Sequence, residues 1–157
     1  MTTFTGSSNW RQAHLGYWLA QASQRFDARV LALMAGNEHM PLALANLAAR
    51  GRLTAAHVHI TRHVSTQGSR LTELATHAGI SKQAMGKLVD QCEAWGMVRR
   101  QPDARDARAS LVVFTADGMN WLHAYQEAVA QAQSELQDAV GQDVATVIAL
   151  GLEAYAA

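Results

Sequence analysis

The sequence predicts a mainly helical α+β protein in which a small β-hairpin follows two short helices and long helices lie at both ends. Three observations support this fold class. Apolar residues recur at helical spacing along most of the chain, a glycine-containing turn separates two short helical segments, and two strand-like runs flank a turn signal after them. With 157 residues and 49% hydrophobic content, the chain is long enough to form one domain around a substantial core.

Three helices are predicted in the first 64 residues. Residues 1–9 are polar and are expected to fray, and a long helix is predicted over residues 10–35. Its apolar stripe is longer than the core of one small domain requires, so we expect it to pack against a second chain. A second helix is predicted over residues 41–50, and a third over residues 54–64 with Thr54 as its N-cap.

Two short helices joined by a tight turn occupy residues 71–96. Leu71 and Leu74 lie at helical spacing, and Gly79 is expected to end the first helix because glycine has no Cβ to hinder a left-handed conformation. Ser81 stands where the N-cap of the second helix belongs, and Gly96 ends that helix. The second helix has an apolar stripe formed by Met85, Leu88, Val89 and Cys92. Two helices with this connection form a helix-turn-helix.

Polar residues on the second helix lie away from its apolar stripe. Lysine can contact phosphate or guanine, and glutamine can form two hydrogen bonds with adenine. A glycine within a helix costs about 1 kcal/mol relative to alanine, and close approach of the helix backbone to a duplex would explain it. A solvated helix face with an incidental glycine is the alternative. The hypothesis of DNA binding assigns contacts to Ser81, Lys82, Gln83, Gly86 and Lys87.

A basic hairpin is predicted directly after the helix-turn-helix. Its strands are residues 98–101 and 110–114, and Pro102-Asp103 is the turn signal. Four charges of alternating sign occupy the tip, namely Asp103, Arg105, Asp106 and Arg108. We expect the carboxylates to hold the arginines so that a guanidinium projects outwards. A hairpin beside a helix-turn-helix is a wing, and its arginine can enter a narrow minor groove. An ordinary polar loop is the alternative.

Two further helices are predicted at the C-terminal end. Thr115 is the expected N-cap of a long helix over residues 116–140, and a last helix is predicted over residues 143–155. The long helix has an apolar stripe formed by Trp121, Leu122, Tyr125, Val129, Ala132, Leu136 and Val140. Long amphipathic helices at both ends of a small domain are typical dimerisation elements. A monomer that folds these helices onto itself is the alternative.

Several segments between residues 71 and 118 follow the pattern of a known family. They are Ile80-Ser81-Lys82-Gln83, Glu93-Ala94-Trp95-Gly96-Met97-Val98, the segment from Pro102 to Ala109, and Thr115-Ala116-Asp117-Gly118. In these segments the chain resembles the winged helix-turn-helix of MarR-family transcription regulators, and the Asp-x-Arg-Asp-x-Arg pattern of the wing is the most specific match. Two positions depart from the family pattern, Cys92 in place of a usual leucine and Ala107 in place of a common arginine.

The resemblance implies a sequence-specific transcription regulator, more specifically a repressor, that binds a palindromic operator as a homodimer. It implies a single domain over residues 1–157, in which residues 10–52 and 116–157 supply dimerisation helices and residues 53–115 form the winged helix-turn-helix. A small aromatic or phenolic acid would bind between these parts and release the DNA. The expected walls of this effector pocket are Trp18, His57 and Trp121. No cofactor is expected.

Charge is distributed unevenly along the chain although the net charge is zero. The balance is +4 over residues 1–69, +2 over residues 70–110 and −6 over residues 111–157. Local positive charge suits phosphate binding, and the opposite signs suggest that the two ends pack together. The N-terminus lacks a signal-peptide pattern, no run of about 18 apolar residues is present, and there is one cysteine. We therefore expect a cytoplasmic location.

Other functions have less support in the sequence than DNA binding. The sequence has no G-x-S-x-G, phosphate-binding glycine loop or H-E-x-x-H, so no enzyme activity is predicted. His59 and His63 stand four residues apart and could bind one zinc ion in a metal-responsive regulator, but no third ligand is evident and no metal is predicted. A winged protein-interaction module without DNA binding is another alternative. Cys92 is predicted to be a packing residue, and His57 either a core histidine or an anchor for an acidic ligand.

Overall fold

A computed structural model describes residues 9–157, so most of the segment expected to fray lies outside the described residues. The elements in chain order are α1 (Leu15–Ala35), α2 (Leu42–Ala49), α3 (Ala55–Thr61), β1 (Ser69–Arg70), α4 (Leu71–Ala78), α5 (Lys82–Ala94), β2 (Val98–Asp103), β3 (Asp106–Phe114), α6 (Ala116–Val140) and α7 (Gln142–Ala156). Seven helices and one antiparallel sheet confirm the predicted α+β class for the described part of the chain. None of the described helices is both long enough and apolar enough to span a lipid bilayer.

The helix-turn-helix of α4 and α5 is confirmed, because its capping residues act as the sequence predicts. Gly79 follows α4 with a φ of 65°, a left-handed conformation that a side chain would strain. Ser81 caps α5, and its Oγ accepts a hydrogen bond from the amide of Ala84 at 3.1 Å. Gly96 has a φ of 75° and turns the chain from α5 into β2.

The sheet contains three antiparallel strands in the order β1-β3-β2, where the sequence predicts a two-stranded hairpin. The additional strand, β1, pairs Ser69 with Val112 and Arg70 with Leu111. A strand of two residues is too short to show the alternation by which strands are recognised. It nevertheless attaches the start of α4 directly to the hairpin.

The turn of the hairpin lies two residues later than predicted. Pro102 belongs to β2 and pairs with Ser110, so the predicted turn at Pro102-Asp103 is wrong. Ala104 and Arg105 form the turn instead. The register shifts between Pro102 and Asp103, and such an irregularity on an edge strand accommodates a residue that has no amide hydrogen.

The core lies where the helix-turn-helix, the sheet and α6 meet. Its largest fully buried side chains are Trp121, Met34, Leu44, Leu74, Met85, Met97, Val89, Val112 and Cys92. Trp121 on α6 donates a hydrogen bond from Nε1 to Oγ1 of Thr61 at 3.3 Å, so its polar atom is satisfied inside the core. This packing fixes α6 against α3 and the sheet.

The helix α1 begins later than predicted. Trp10–Gln12 is a separate 3₁₀ turn, and α1 starts at Leu15 because His14 is its N-cap, with Nδ1 accepting a hydrogen bond from the amide of Tyr17 at 3.2 Å. The helix α3 likewise ends at Thr61, three residues before the predicted end. In the described part of the chain, Leu15 is 71% exposed and Trp18 is 56% exposed.

The helix α1 packs against α6, which brings together the ends of opposite charge as the charge distribution predicts. Arg29 donates hydrogen bonds from Nε and Nη2 to the two carboxylate oxygens of Glu135, at 2.7 and 2.8 Å. This two-point contact is geometrically specific for a guanidinium and a carboxylate. The hydrogen bonds from Arg29 lower the pKa of Glu135 from 4.5 to about 2.

We expect Glu135→Gln to flatten the acid side of the stability profile. Because the pKa of Glu135 falls from 4.5 to about 2 on folding, its contribution is fully present above pH 4.5 and is lost as the pH falls towards 2. Urea unfolding at fixed protein concentration should therefore show a smaller decrease in unfolding free energy across that interval for the variant than for the wild type. Glu153→Gln changes an exposed carboxylate and serves as the control. Parallel profiles for Glu135→Gln and the wild type would contradict the assignment.

Candidate nucleic-acid interface

The helix α5 separates an apolar face from a polar one. Its buried residues are Met85, Val89 and Cys92, which attach it to the core. Lys82, Gln83 and Lys87 are exposed, and Ser81 at the cap is exposed as well. The sequence prediction that these residues share an outward surface is consistent with this arrangement. Two ammonium groups and one amide are thus available in the N-terminal half of α5, where the helix dipole also favours an anion.

Gly86 lies on the side of α5 that faces α4. An added Cβ at Gly86 would meet Cδ2 of Leu71 at 3.9 Å, which is ordinary van der Waals contact. The protein itself therefore has room for a side chain at this position. Packing inside the chain does not require the glycine, which leaves close approach of an external molecule as an explanation.

We expect Gly86→Ala to leave the fold intact and to weaken DNA binding. Alanine in a helix interior is more stable than glycine by up to about 1 kcal/mol, so the unfolding free energy should not decrease. If the α5 backbone approaches a duplex, the added methyl group should reduce affinity by about tenfold, corresponding to about 1.4 kcal/mol. Urea unfolding and DNA titration of the same sample measure the two effects. Unchanged DNA affinity would remove Gly86 from the interface.

The tip of the wing presents two arginines on a backbone that the neighbouring aspartates shape. Oδ1 of Asp103 accepts a hydrogen bond from the amide of Arg105 at 2.9 Å, and Oδ1 of Asp106 accepts one from the amide of Arg108 at 3.1 Å. Both arginine side chains are exposed, and in the described part of the chain neither guanidinium forms a hydrogen bond or ion pair. The aspartates thus hold the arginine backbone, whereas the sequence predicted that they would hold the side chains.

Arg70 connects the wing to the helix-turn-helix, and sequence reasoning missed it. Its Nε and Nη2 donate to Oδ2 of Asp103 at 3.0 and 2.6 Å, and Asp103 is only 6% exposed. The amide of Arg105 and the guanidinium of Arg70 both lower the pKa of the Asp103 carboxyl, so the carboxylate stays charged. Arg70 immediately precedes α4. The hairpin tip is therefore held at the start of the first helix of the helix-turn-helix.

A second arginine attaches the base of the wing to α5. Arg100 on β2 donates from Nη2 to Asp90 at 2.6 Å and from Nη1 to Glu93, while its amide donates to Oε1 of Glu93 at 2.9 Å. Both acidic partners lie in the C-terminal half of α5. Arg70 and Arg100 together determine where the exposed arginines of the tip lie relative to the lysines of α5.

The three residues predicted to line an effector pocket do not lie together. Trp18 lines a cavity of about 880 Å³ between α1 and α6, and Trp121 is fully buried in the core. His57 is 5% exposed and both of its ring nitrogens have partners. Nδ1 accepts from the amide of Thr54 at 3.1 Å, which places the proton on Nε2, and Nε2 donates to Gln91 at 2.9 Å. Neither His57 nor Trp121 borders the cavity.

The paired histidines considered for zinc have other neighbours. Nε2 of His59 lies 3.0 Å from Oδ2 of Asp27, and the ring of His63 lies beside that of His77 with 6.4 Å between the ring centroids. Among residues 9–157, His59 and His63 belong to no group of three clustered metal-binding side chains. The prediction for Cys92 is confirmed: it is 1% exposed, and burial raises the pKa of its thiol to about 12.

Comparison with known proteins agrees with this geometry. Residues 53–109, from the N-cap region of α3 into β3, match the model that describes the MarR family. No curated protein matches the sequence. Similar solved structures include the transcriptional repressor CouR bound to a 23-mer DNA duplex, with a TM-score of 0.73 and 22% identity over 97% of this chain and 99% of that one.

Two further solved structures share the fold. CouR from Rhodococcus jostii RHA1 bound to p-coumaroyl-CoA has a TM-score of 0.67 and 19% identity, over 92% of this chain and 93% of that one. The apo form of MarR from E. coli has a TM-score of 0.63 and 23% identity, over 90% of this chain and 96% of that one. These similarities extend the shared fold to the helices outside the matched residues.

Proposed function

We propose that the chain is a transcription regulator of the MarR type, more specifically a repressor that binds a palindromic operator as a homodimer. Support comes from the match of residues 53–109 to the MarR family model and from the fold shared with the DNA-bound repressor CouR. The observation that carries the proposal is the exposed cationic half of α5 beside the exposed arginines of the wing. In this proposal the major groove receives Ser81, Lys82, Gln83, Gly86 and Lys87. The minor groove receives Arg105 and Arg108, positioned by Asp103 and Asp106.

Exposed apolar residues on the terminal helices support the homodimer. In the described part of the chain, α1, the 3₁₀ turn before it, α6 and α7 carry large apolar side chains that are at least 40% exposed. They are Trp10, Leu15, Trp18, Met119, Val140, Val144, Val147, Ile148, Leu150, Leu152 and Tyr155. Of the residues on α7, only Ala145 is buried. A soluble monomer rarely leaves so much apolar surface in contact with water. Residues 10–52 and 116–157 therefore act as dimerisation segments around the DNA-binding residues 53–115.

The two-fold symmetry of such a dimer predicts the form of the operator. Two copies of α5 would enter successive major grooves on one side of the duplex, about 34–36 Å apart, so the half-sites would be inverted repeats one turn apart. The DNA complex of CouR supports this use of the shared fold. Repression follows if the operator overlaps a promoter.

Protection mapping on the DNA upstream of its own gene tests the proposal. We expect a protected segment with inverted repeats, and sedimentation should give a dimer of the 17.0 kDa chain. Val147→Asp combined with Ile148→Asp introduces charge on the exposed face of α7 and should produce monomers that no longer protect the DNA. Failure to retard any fragment from this region would favour a protein-interaction module with the same fold.

The cavity between α1 and α6 is the proposed site for a small aromatic or phenolic acid. Its lining includes the exposed Trp18 and the cationic Arg25, and a stacked ring with a nearby guanidinium suits an aromatic carboxylate. Arg25 has no ion pair within the described residues. The bound p-coumaroyl-CoA in CouR supports a ligand with an aromatic acyl group. A ligand that favours one separation of the two α5 helices would shift the dimer away from the DNA-binding state.

Tryptophan fluorescence tests the effector proposal separately from DNA binding. Titration with p-coumarate and p-coumaroyl-CoA should quench the fluorescence of Trp18 and release the DNA over the same concentration range. Trp18→Leu should abolish the response, and because leucine keeps an apolar side chain at this position of α1, the dimer and its operator affinity without ligand should be retained. If neither compound changes the fluorescence or the operator affinity of the wild type, the proposed effector class is wrong and the DNA-binding proposal is unaffected.

We expect Arg105→Ala to reduce the salt dependence of operator binding. An arginine in the minor groove neutralises the phosphates that flank it, and each neutralised phosphate contributes about 0.9 to the slope of log K against log salt, so a dimer that loses two arginines should show a slope lower by about 1.8. Binding isotherms at several salt concentrations measure it. Arg11→Ala removes an exposed arginine before α1 and should leave the slope unchanged. An unchanged slope for Arg105→Ala would place the wing tip away from the DNA.

A further inference from the structure

Two histidines and one glutamate converge where the loop after α1 meets α6. His39 lies in that loop, and His123 and Glu127 lie one helical turn apart on α6. Nδ1 of His39 is 3.2 Å from Oε2 of Glu127, and Nε2 of His123 is 3.4 Å from Oε1. The three potential ligand atoms all lie within 4.8 Å of one another. These residues lie outside both the DNA-binding surface and the cavity that contains Trp18.

The separations match those of neighbouring ligands on one zinc ion. Zinc binds imidazole nitrogen and carboxylate oxygen at about 2.0–2.2 Å, so adjacent ligands in a tetrahedral site are about 3.3–3.5 Å apart. The histidines contact different oxygens of Glu127, His39 at 3.2 Å from Oε2 and His123 at 3.4 Å from Oε1, and each distance is close to this value. Each of the three side chains is about half exposed, so an ion in solution can reach them.

Asn37 holds two of these residues in place from outside the ligand group. Its Nδ2 donates to Oε2 of Glu127 at 2.7 Å, and its Oδ1 accepts from the amide of His39 at 2.8 Å. One side chain therefore positions both the carboxylate and the loop that carries the first imidazole.

We propose that His39, His123 and Glu127 form a binding site for Zn²⁺. Two imidazole nitrogens and one carboxylate oxygen are ligands suited to this borderline-soft ion, and water would complete the tetrahedron. This site differs from the paired histidines that the sequence suggested, and it departs from the expectation of no metal. The ion joins the loop after α1 to α6, the helix that directly follows the wing. Its binding therefore stabilises the contact between the two long helices.

Titration of the purified protein with Zn²⁺ tests the site. Protein freed of metal with a chelator should take up one zinc ion per chain, measured by competition with a chromogenic zinc indicator, and its melting temperature should rise. His39→Ala, His123→Ala and Glu127→Gln should each lose this uptake. Asn37→Ala should retain it with affinity about 10–100-fold lower, as expected for a residue that supports a ligand.

A double variant provides the matched control. His59→Ala combined with His63→Ala removes two histidines from the chain but leaves the proposed ligands intact, so uptake of one zinc ion per chain should persist. Loss of uptake in this variant, or absence of uptake in the wild type, would overturn the proposal. Since the three ligands are exposed, circular dichroism should show that their variants fold. DNA binding by metal-free protein is measured separately, so failure here leaves the proposed function untouched.

Discussion

Replacing Lys82 and Lys87 together with alanine is expected to reduce operator affinity on the order of 10³-fold at about 0.1 M salt. Both ammonium groups lie on the exposed face of α5, and a homodimer would lose four of them. If each contacts a phosphate, the slope of log K against log salt should fall by about 3.6. Competition titrations over a range of salt concentrations measure both quantities. The helices should be unaffected, because neither side chain is buried.

The matched control removes the same charge elsewhere. Arg50→Ala combined with Arg52→Ala also takes two positive charges from each chain, at exposed positions between α2 and α3. If only net charge mattered, the two double variants would behave alike. If α5 contacts the DNA, the variant with Arg50→Ala and Arg52→Ala should keep nearly all of its operator affinity and salt dependence. Equal losses in both variants would exclude a specific role for α5.

Chemical labelling gives a second measurement of the same contact. Lys82 and Lys87 are the only lysines in the sequence, so an amine-reactive reagent modifies these two side chains and the N-terminal amine. Saturating operator DNA should protect both lysines, while the N-terminus provides an internal reference. Full labelling of both lysines in the complex would place α5 away from the duplex.

The helix-turn-helix was predictable because its boundaries depend on local chemistry. Gly79 acts through its own left-handed backbone conformation, and Ser81 acts by accepting a hydrogen bond from the amide three residues later. Such effects are visible in a short stretch of sequence. The long helix α6 was predicted with its observed bounds for the same reason, since Thr115 accepts a hydrogen bond from the amide of Gly118. Where capping residues and apolar periodicity agree, local sequence determines the element.

The contacts that assemble the candidate surface could not be predicted in this way. Arg70 and Asp103 are 33 positions apart, and nothing in the charge pattern distinguishes this pair from other pairs of opposite charge. The same limit applies to His39 and Glu127, which are 88 positions apart. Helical spacing correctly placed Trp18 and Trp121 on apolar stripes, but a stripe does not reveal what covers it. Trp121 is fully buried in the core, whereas Trp18 lines a cavity.

Gly118→Ala is expected to reduce the unfolding free energy by about 3 kcal/mol or more, because it places a methyl group where backbone already lies. A Cβ at Gly118 would stand 1.9 Å from the carbonyl oxygen of Met97, at the point where β2 begins. That oxygen cannot move alone, since it accepts a hydrogen bond from the amide of Thr115 at 3.1 Å. The clash must displace either the first turn of α6 or the base of the wing. Urea unfolding at fixed protein concentration measures the loss.

Gly86→Ala is the matched control for this prediction, because it makes the same change within another helix. There the added Cβ meets only a side-chain methyl group at 3.9 Å, so the unfolding free energy should stay the same or rise. The two variants separate the steric effect from the general preference of helices for alanine. If Gly118→Ala were as stable as Gly86→Ala, the junction between the wing and α6 would have to be looser than the 1.9 Å approach implies.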